Sequence, residues 1–507
     1  MMVTSDQMRA LEATAFENGW TEEALMEAAG RGVAEAVQAA FPRPAAVVIF
    51  AGKGHNAGDA WVAARYWLDG GWTVVVRGCF PCAEWRPLTL AKWALIADRV
   101  SGEVPASGRL LLVDALLGLG AGGALRSPIR EACGQLNALR RARHAVTVAI
   151  DGPTGVDFDT GEADPAAVVA DFTATIAVAK RGLLADGALA CTGRLAVVSL
   201  PVLTPPPDWV GPGAGVVLTP EVVRSWLPAP ASFDFHKGQA GRVLIIAGSR
   251  GMLGAARMAA AAAVYGGAGL VTVAVSELIH DVAAAGLAPE VMVHGYRDWR
   301  ELSEVAADVL AVGPGLGLSA DDSLVEWLAG DNRAAVMDAD ALNAMARSRR
   351  SGGRAAVMAE EALARDRCLL TPHPGEMKRL LEAWQPDLLG ASRSAQAQGF
   401  ADAQRVTLLL KGGRTVVAAP ECALAYNTTG HPGMASGGMG DVLTGLSAAL
   451  MARGLQSREA GGVGSWLLGR AAELALREGE ESPDSLRATV VLSHLGRAFT
   501  ALRYGII

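Results

Sequence analysis

The chain has 507 residues, too many for one ordinary domain, and 51% are hydrophobic against 19% charged, so it holds large buried cores rather than disorder. A net charge of −7 and the lack of any long basic run argue against a nucleic-acid partner. Six scattered cysteines form no disulfide framework and fit a reducing cytoplasm; Cys79 and Cys82 make a lone CxxC with no second pair to complete a zinc site. The N-terminus, MMVTSDQMRALEATAF, lacks the basic start and apolar centre of a signal peptide. The most apolar region, Met258 to Val275, is rich in Ala and Gly and does not read as a membrane span.

Thr4–Asn18 and Thr21–Ala40 read as helices, the second capped by Thr21 with Glu22 and Glu23 in its first turn. Ala45–Phe50 is a short apolar run that fits a buried parallel strand. The segment AGKGHNAGD follows, then a helix expected over Ala60–Leu68. Strands are expected at Thr73–Arg77, Leu110–Val113, Val146–Ile150, Thr173–Val178 and Leu195–Ser199, with Leu88–Asp98 helical. This alternation predicts a Rossmann-like, doubly wound α/β sheet. Pro201–Gly215 carries five prolines, which suit neither a sheet nor a helix interior, so a semi-rigid linker is expected there.

The α/β alternation then restarts. Strands are expected at Arg242–Ala247, Leu270–Val275, Val309–Val312, Ala335–Asp338, Cys368–Thr371, Val406–Lys411 and Thr415–Ala418. A helix is expected from about Gly254 to Tyr265, and others after Gly440, Ala460 and Ser485. Arg347, Arg349, Arg350 and Arg354, beside Gly352 and Gly353, read as a solvated loop.

In the first half, GKGHNAGD (Gly52–Asp59), DALLGLGAGG (Asp114–Gly123) and DGPTGVD (Asp151–Asp157) each fall just past a strand end, the edge where open α/β sheets bind ligands. Gly52, Gly54 and Gly58 let a phosphate approach the backbone. Oxygens of Asn56, Asp114 and Thr154 suit a hard cation; alternatively the carboxylates cap neighbouring helices. Lys180 lies on a following strand from which it could reach the site, although exposure is the simpler expectation.

In the second half the richest stretch is NTTGHPGMASGGMGDVLTG, Asn427–Gly445, with six glycines running into a helix-compatible segment. A helix start points free N–H groups at an anion, and Asp441 at that junction suits a base for a hydroxyl that attacks a phosphoryl group. The alternative is a glycine-rich turn with Asp441 as N-cap. TPHPGE fixes His373 between two prolines, DADALN places Asp338 and Asp340 at a strand end, and LLLKGGRTVV places Lys411 before Gly412 and Gly413. Lys, glycines and a helix start make a nucleotide-phosphate arrangement that is not a Walker A loop. Each part also has a structural reading: a surface Lys411 at a hairpin turn, a turn histidine, and Asp338 and Asp340 as caps.

GMASGGMGDVLTG resembles the GMATAGTGDVLTG signature of ribokinase-like NAD(P)H-hydrate dehydratases, and GKGHNAGDA resembles the GNNGGDG loop of NAD(P)H-hydrate epimerase domains. Together, across almost the whole chain, they resemble the bifunctional NAD(P)H-hydrate repair family. The resemblance implies an epimerase domain at 1–205, a linker at 206–217 and a ribokinase-like α/β dehydratase domain at 218–507. It implies a potassium ion on Asn56, Asp114 and Thr154. Hydrate would bind in the epimerase domain at His55, Asn56, Ala57, Gly58, Asp59, at Gly118, Leu119, Gly120, Ala121, Gly122, Gly123, Ala124, and at Asp151, the residue implied to handle the proton.

In the dehydratase domain hydrate would bind at Ala255, Gly315, His373 and the catalytic Asp441. Nucleotide, ADP or ATP with magnesium, would bind at Lys411, Gly412, Gly413, Arg414, Thr415 and Gly440. The chain departs from the epimerase pattern at His55, Ala57 and Ala60, where Ala57 is expected to set a Cβ beside the phosphates. Met439 stands where Thr is common, a change backbone amides should tolerate. The expected function is epimerisation of R and S NADHX and NADPHX and dehydration of the S form, in a cytoplasmic homo-oligomer with no nucleic-acid or membrane partner. The alternatives are a kinase of a small hydroxylated metabolite, or a dehydratase with a non-catalytic N-terminal binding module.

Overall fold

The computed structural model describes residues 1–119, 123–206, 209, 215–365, 367–477 and 481–505. The chain divides into two compact units, Met1–Val210 and Gly211–Ile507.

In the first unit, apolar segments with alternating partners build a sheet covered on both faces. Along the strand Ala46–Ala51, Val47 and Ile49 enter one core with Trp61 and Trp67, while Val48 and Phe50 enter another with Leu112 and Leu136. Successive side chains of a strand point to opposite faces, so two separate cores require helices on both sides. The six strands run parallel in the order Thr73–Gly78, Ala46–Ala51, Leu110–Ala115, Val146–Ile150, Phe172–Ile176, Arg194–Val198. The order reverses between Ala46–Ala51 and Leu110–Ala115, which opens a crevice at their C-terminal ends. A separate two-stranded pair joins Met2–Val3 to Ala179–Lys180, with Val3 opposite Lys180.

Three expectations change here. The helix after the first glycine loop starts at His55 and runs to Asp69, with Gly54 as an N-cap that offers no side chain. Asn56 and Asp59 therefore stand on one face, three residues apart in its first turns. Ala57 and Ala60 are fully buried in the core with Trp61, and a Cβ on Gly58 would meet Met26 Sδ at 2.6 Å. The Cβ expected beside the phosphates thus faces the core.

The second unit has a ten-stranded sheet among the described residues. Its order is Val291–Tyr296, Leu270–Ser276, Arg242–Ile246, Val309–Val312, Ala334–Met337, Cys368–Leu370, Thr407–Leu410, Val416–Ala418, Leu424–Tyr426, Gly215–Val217. Strands are parallel through Thr407–Leu410; Val416–Ala418 then folds back antiparallel as a hairpin. Gly215–Val217, expected as linker, pairs with Leu424–Tyr426 as an edge strand because unpaired edge groups there accept a short extended segment. The alanine-rich helix Leu253–Tyr265 packs against the helix Met439–Ala452 so closely that a Cβ on Gly445 would sit 1.9 Å from the Ala259 carbonyl oxygen. The arginine cluster is helical, on Ala339–Ser351 and Gly353–Leu363, and its members are tied to Ala320 O, Glu360, Glu382 and Glu326.

Candidate active sites

The crevice of the first unit is built from strand ends. Asp114 closes its strand fully buried, and its carboxylate accepts from Thr154 N (2.7 Å), Thr154 Oγ1 (2.8 Å) and Leu116 N (3.2 Å). Burial pushes the Asp114 carboxyl up to about 6 against those hydrogen bonds. Leu117 joins the third residue: its N–H donates to Thr154 Oγ1 (3.1 Å) and its carbonyl accepts from Asn56 Nδ2 (2.9 Å). Asn56 is 7% exposed, and its Oδ1 is buried with no hydrogen-bond partner. An orphaned amide oxygen beside a buried carboxylate and a hydroxyl is a donor set suited to a hard monovalent or divalent cation.

Asp151 follows its strand at φ 66°, a left-handed conformation that costs a non-glycine residue energy and marks functional sites. It is buried; its Oδ1 accepts from Ile176 N (3.2 Å) and from the ammonium of Lys180. Lys180 is buried rather than exposed, and it also donates to Ile176 O at 2.8 Å. The pairing of Val3 with Lys180 lays the N-terminal segment beside this lysine. Burial, then Asp151 and Glu12, hold the Asp59 carboxyl well above the usual range, while Lys180 opposes them. Glu12 is raised too, first by burial and then by Asp151. The crevice therefore pairs a carboxylate held by an ammonium with a carboxyl whose protonated form burial favours, an arrangement that suits an acid and a base. Glu12 gave no motif signal, since only the pairing of Met2–Val3 with Ala179–Lys180, far apart in sequence, brings its segment in.

Gly118 stands beside Asn56, where an added Cβ would lie 3.4 Å from the Asn56 Cβ. Leu119 packs at the margin of the core formed by Val3, Met8 and Leu11. Gly123 and Ala124 are exposed, and Gly120, Ala121 and Gly122 lie outside the described residues. His55 touches Arg86 Nη1 at 3.2 Å, and burial followed by that guanidinium lowers its pKa.

In the second unit a cleft of about 450 Å³ is lined by residues that include Asp338, His373, Glu376, Lys411, Gly440 and Asp441. Helix Met439–Ala452 begins from Gly438 at φ 96°, which makes Gly438 rather than Asp441 the N-cap and sets Asp441 in the first turn. Burial, and then Asp338, push Asp441 up to about 6 while Lys411 opposes them. That places a base near neutral pH beside free helix N–H groups.

Lys411 sits in the hairpin loop yet turns inward, its Nζ 2.7 Å from Asp338 Oδ1 and 3.9 Å from Glu376 Oε2. Asp338, 1% exposed, holds the N-cap position of Ala339–Ser351 but its side chain makes no capping bond; its Oδ2 accepts from Thr444 Oγ1 at 2.9 Å. A Cβ on Gly440 would lie 3.3 Å from Lys411 Nζ. Asp340 accepts from Gly317 N at 2.8 Å.

His373 is both structural and site-lining. Its Nδ1 accepts from Gly375 N (3.0 Å) and Glu376 N (3.4 Å), and Glu376 Oε2 accepts from His373 N (2.8 Å), a capping box on helix Pro374–Trp384. Its Nε2 remains, 3.3 Å from Glu376 Oε1. Burial raises Glu376, which sequence reasoning left without a role although its place three residues past His373 signals the box. Ala255 and Gly315 meet one another, a Gly315 Cβ falling 3.0 Å from that of Ala255, but neither is among the residues lining this cleft. The loop into Asp441 is pinned where Asn427 Nδ2 donates to Ser465 O (3.2 Å) and Gly430 N to Glu473 Oε1 (3.0 Å).

With this geometry in view, residues 243–491 match the family model for NAD(P)H-hydrate dehydratase, and residues 22–182 match that for the YjeF-related protein N-terminus. A bifunctional NAD(P)H-hydrate repair enzyme of Coxiella burnetii is 34% identical across 96% of this chain and 97% of its own. The enzyme of the same description from Moorella thermoacetica is 35% identical over 94% and 93%, and that of Escherichia coli 34% identical over 94% and 90%. The ADP/ATP-dependent NAD(P)H-hydrate dehydratase of Bacillus subtilis, co-crystallised with ATP and Mg2+, is 29% identical with a TM-score of 0.47, covering 57% of this chain and 98% of that one. Two matched domains in one chain and relatives aligned almost end to end make this chain a member of the bifunctional NAD(P)H-hydrate repair enzyme family.

Proposed function

We infer that the chain repairs nicotinamide cofactors that carry water across the C5–C6 bond of the reduced ring. The observation that carries the reading is the Asp441 carboxyl, shifted to about 6 beside the Lys411–Asp338 pair and a helix N-terminus. Asp441 takes the proton of the 6-hydroxyl, and that oxygen attacks the terminal phosphoryl group of ADP or ATP. Amides of the Gly437–Gly440 turn and Lys411 meet the developing negative charge. The ring nitrogen then expels phosphate from C6, loss of a C5 proton to water restores the ring double bond, and NAD(P)H, phosphate and AMP or ADP are released. A kinase would instead accumulate a stable phosphorylated metabolite.

Magnesium fits this site as a companion of the nucleotide. Among the described residues no group of three or more His, Cys, Asp or Glu is placed to hold a metal alone. Magnesium commonly rests on substrate phosphates and one or two carboxylates, here Asp338, Asp340 or Glu376.

In the first unit Asp151, held by Lys180, acts as base and Asp59, whose protonated form burial favours, acts as acid. The 6-hydroxyl leaves as water with the acid's proton. Water then returns to the opposite face of the ring and gives its proton to Asp151, and exchange with solvent returns a proton to Asp59. A potassium ion held by Asn56, Asp114 and Thr154 would supply positive charge that ties the three loops together; the unpartnered Asn56 Oδ1 supports it. Asn56→Ala is expected to raise the potassium concentration needed for half-maximal epimerisation by about tenfold or more, in line with the loss of an oxygen ligand. The dehydratase rate on pure S epimer should stay unchanged. Equal potassium dependence in both proteins would remove Asn56 from the site.

A further inference from the structure

The loop Lys411–Thr415 is braced from behind by a residue outside every motif. Arg393 opens the helix Arg393–Gln404, and its guanidinium reaches two main-chain carbonyls of the loop and that of Leu410 just before it. Nη1 donates to Arg414 O at 3.1 Å, and Nη2 donates to Lys411 O at 3.2 Å and Leu410 O at 3.4 Å. The approach is close: at Gly412, where φ is 159°, an added Cβ would fall 2.4 Å from Arg393 Nη2. The adjacent Ser394 Oγ accepts from Tyr426 Oη at 3.0 Å, which joins the start of this helix to the strand Leu424–Tyr426.

A trans peptide is planar, so a carbonyl and the following residue's N–H point in opposite directions. With the carbonyls of Leu410, Lys411 and Arg414 drawn toward Arg393, the amides of Lys411, Gly412 and Thr415 turn the other way. The first of them is seen to do so, because Lys411 N donates to Pro372 O at 2.9 Å, next to the cleft-lining His373. Gly412 itself lines the cleft. Successive main-chain N–H groups that face one way form an anion-binding concavity.

We propose that Arg393 is a positioning residue for the nucleotide, aiming the Gly412 and Thr415 amides at its phosphates by holding the carbonyls behind them. The proposal rests on the reading that Lys411–Thr415 binds the nucleotide. Only a planar fork spans carbonyls from both ends of the loop; one ammonium cannot.

The test uses the full chain, with KM for the nucleotide and for S-NADHX, kcat, and the melting temperature of the nucleotide-free protein. Arg393→Ala is expected to raise the nucleotide KM about tenfold, with the hydrate KM and epimerisation unchanged, as displaced positioning groups do. Arg393→Lys should recover part of that loss. A nucleotide KM within about twofold of the parent overturns the proposal, as does a rise in both KM values together with a fall in kcat and melting temperature. Lys411→Met in the same assay separates the two levels. If it raises the nucleotide KM and Arg393→Ala does not, the arginine's role fails alone; if neither does, the loop reading fails with it.

Discussion

Asp441→Asn should lower the dehydratase kcat by roughly 10²–10⁴-fold, the usual loss on removing a positioned general base, while R and S epimers continue to interconvert. The substitution keeps the shape and removes only the ability to take the 6-hydroxyl proton. In the parent, the pH dependence follows from the raised pKa. A base works ionised, so dehydration is present above about 6 and is lost as pH falls through that value. Below it, kcat/KM of the free enzyme should drop about tenfold per pH unit. An unshifted carboxylate would hold its activity into the ordinary aspartate range. A flat profile down to that range, or an Asn variant of near-parental kcat measured by NADH recovery from pure S-NADHX, would take the base role away from Asp441.

Asp151→Asn carries the second large effect. Lys180 is buried and donates to Asp151, so the neutral amide leaves an ammonium without its carboxylate as well as a crevice without its base. Epimerisation should fall by roughly 10²–10⁴-fold, and the Asp441 site should be untouched. With a mixed R/S preparation the variant's rapid recovery of NADH should stop at the S fraction, then creep at the rate of uncatalysed epimerisation. Rapid recovery of the whole mixture would show that the proton is carried elsewhere, with Asp59 and Glu12 the next residues to replace.

Much of each site could be read from the sequence because its residues cluster at strand ends. A short apolar run that stops at Asp114, Asp151 or Lys411 announces both the strand and the edge where a ligand binds. Pairings across the chain could not be read that way. Lys411 meets Asp338 73 residues away in sequence, and Lys180 meets Asp151 29 residues away, inside cores that no local pattern describes. The helix at His55 starts earlier than expected because Gly54 caps it without a side chain, so the usual Ser, Thr, Asp or Asn signal is missing. For the same reason Ala57 looked like an intrusion on the phosphates when its Cβ packs beside Trp61. The arginines near Gly352 looked like a solvated loop because two glycines interrupt them; the glycines mark the junction of two helices. Arg393 left no trace, since its partners are backbone carbonyls that any sequence provides.

That one chain both interconverts the epimers and dehydrates one of them is checked by giving the wild-type protein a mixed R/S NADHX preparation with potassium, magnesium and either ADP or ATP. Near-ultraviolet absorbance of the restored dihydronicotinamide and released inorganic phosphate are followed together. Rapid recovery of the whole mixture is expected, with phosphate released in step with NADH. Recovery that halts at the S fraction would contradict the epimerase half. A stable phosphorylated product, or no recovery with either nucleotide, would contradict the dehydratase half.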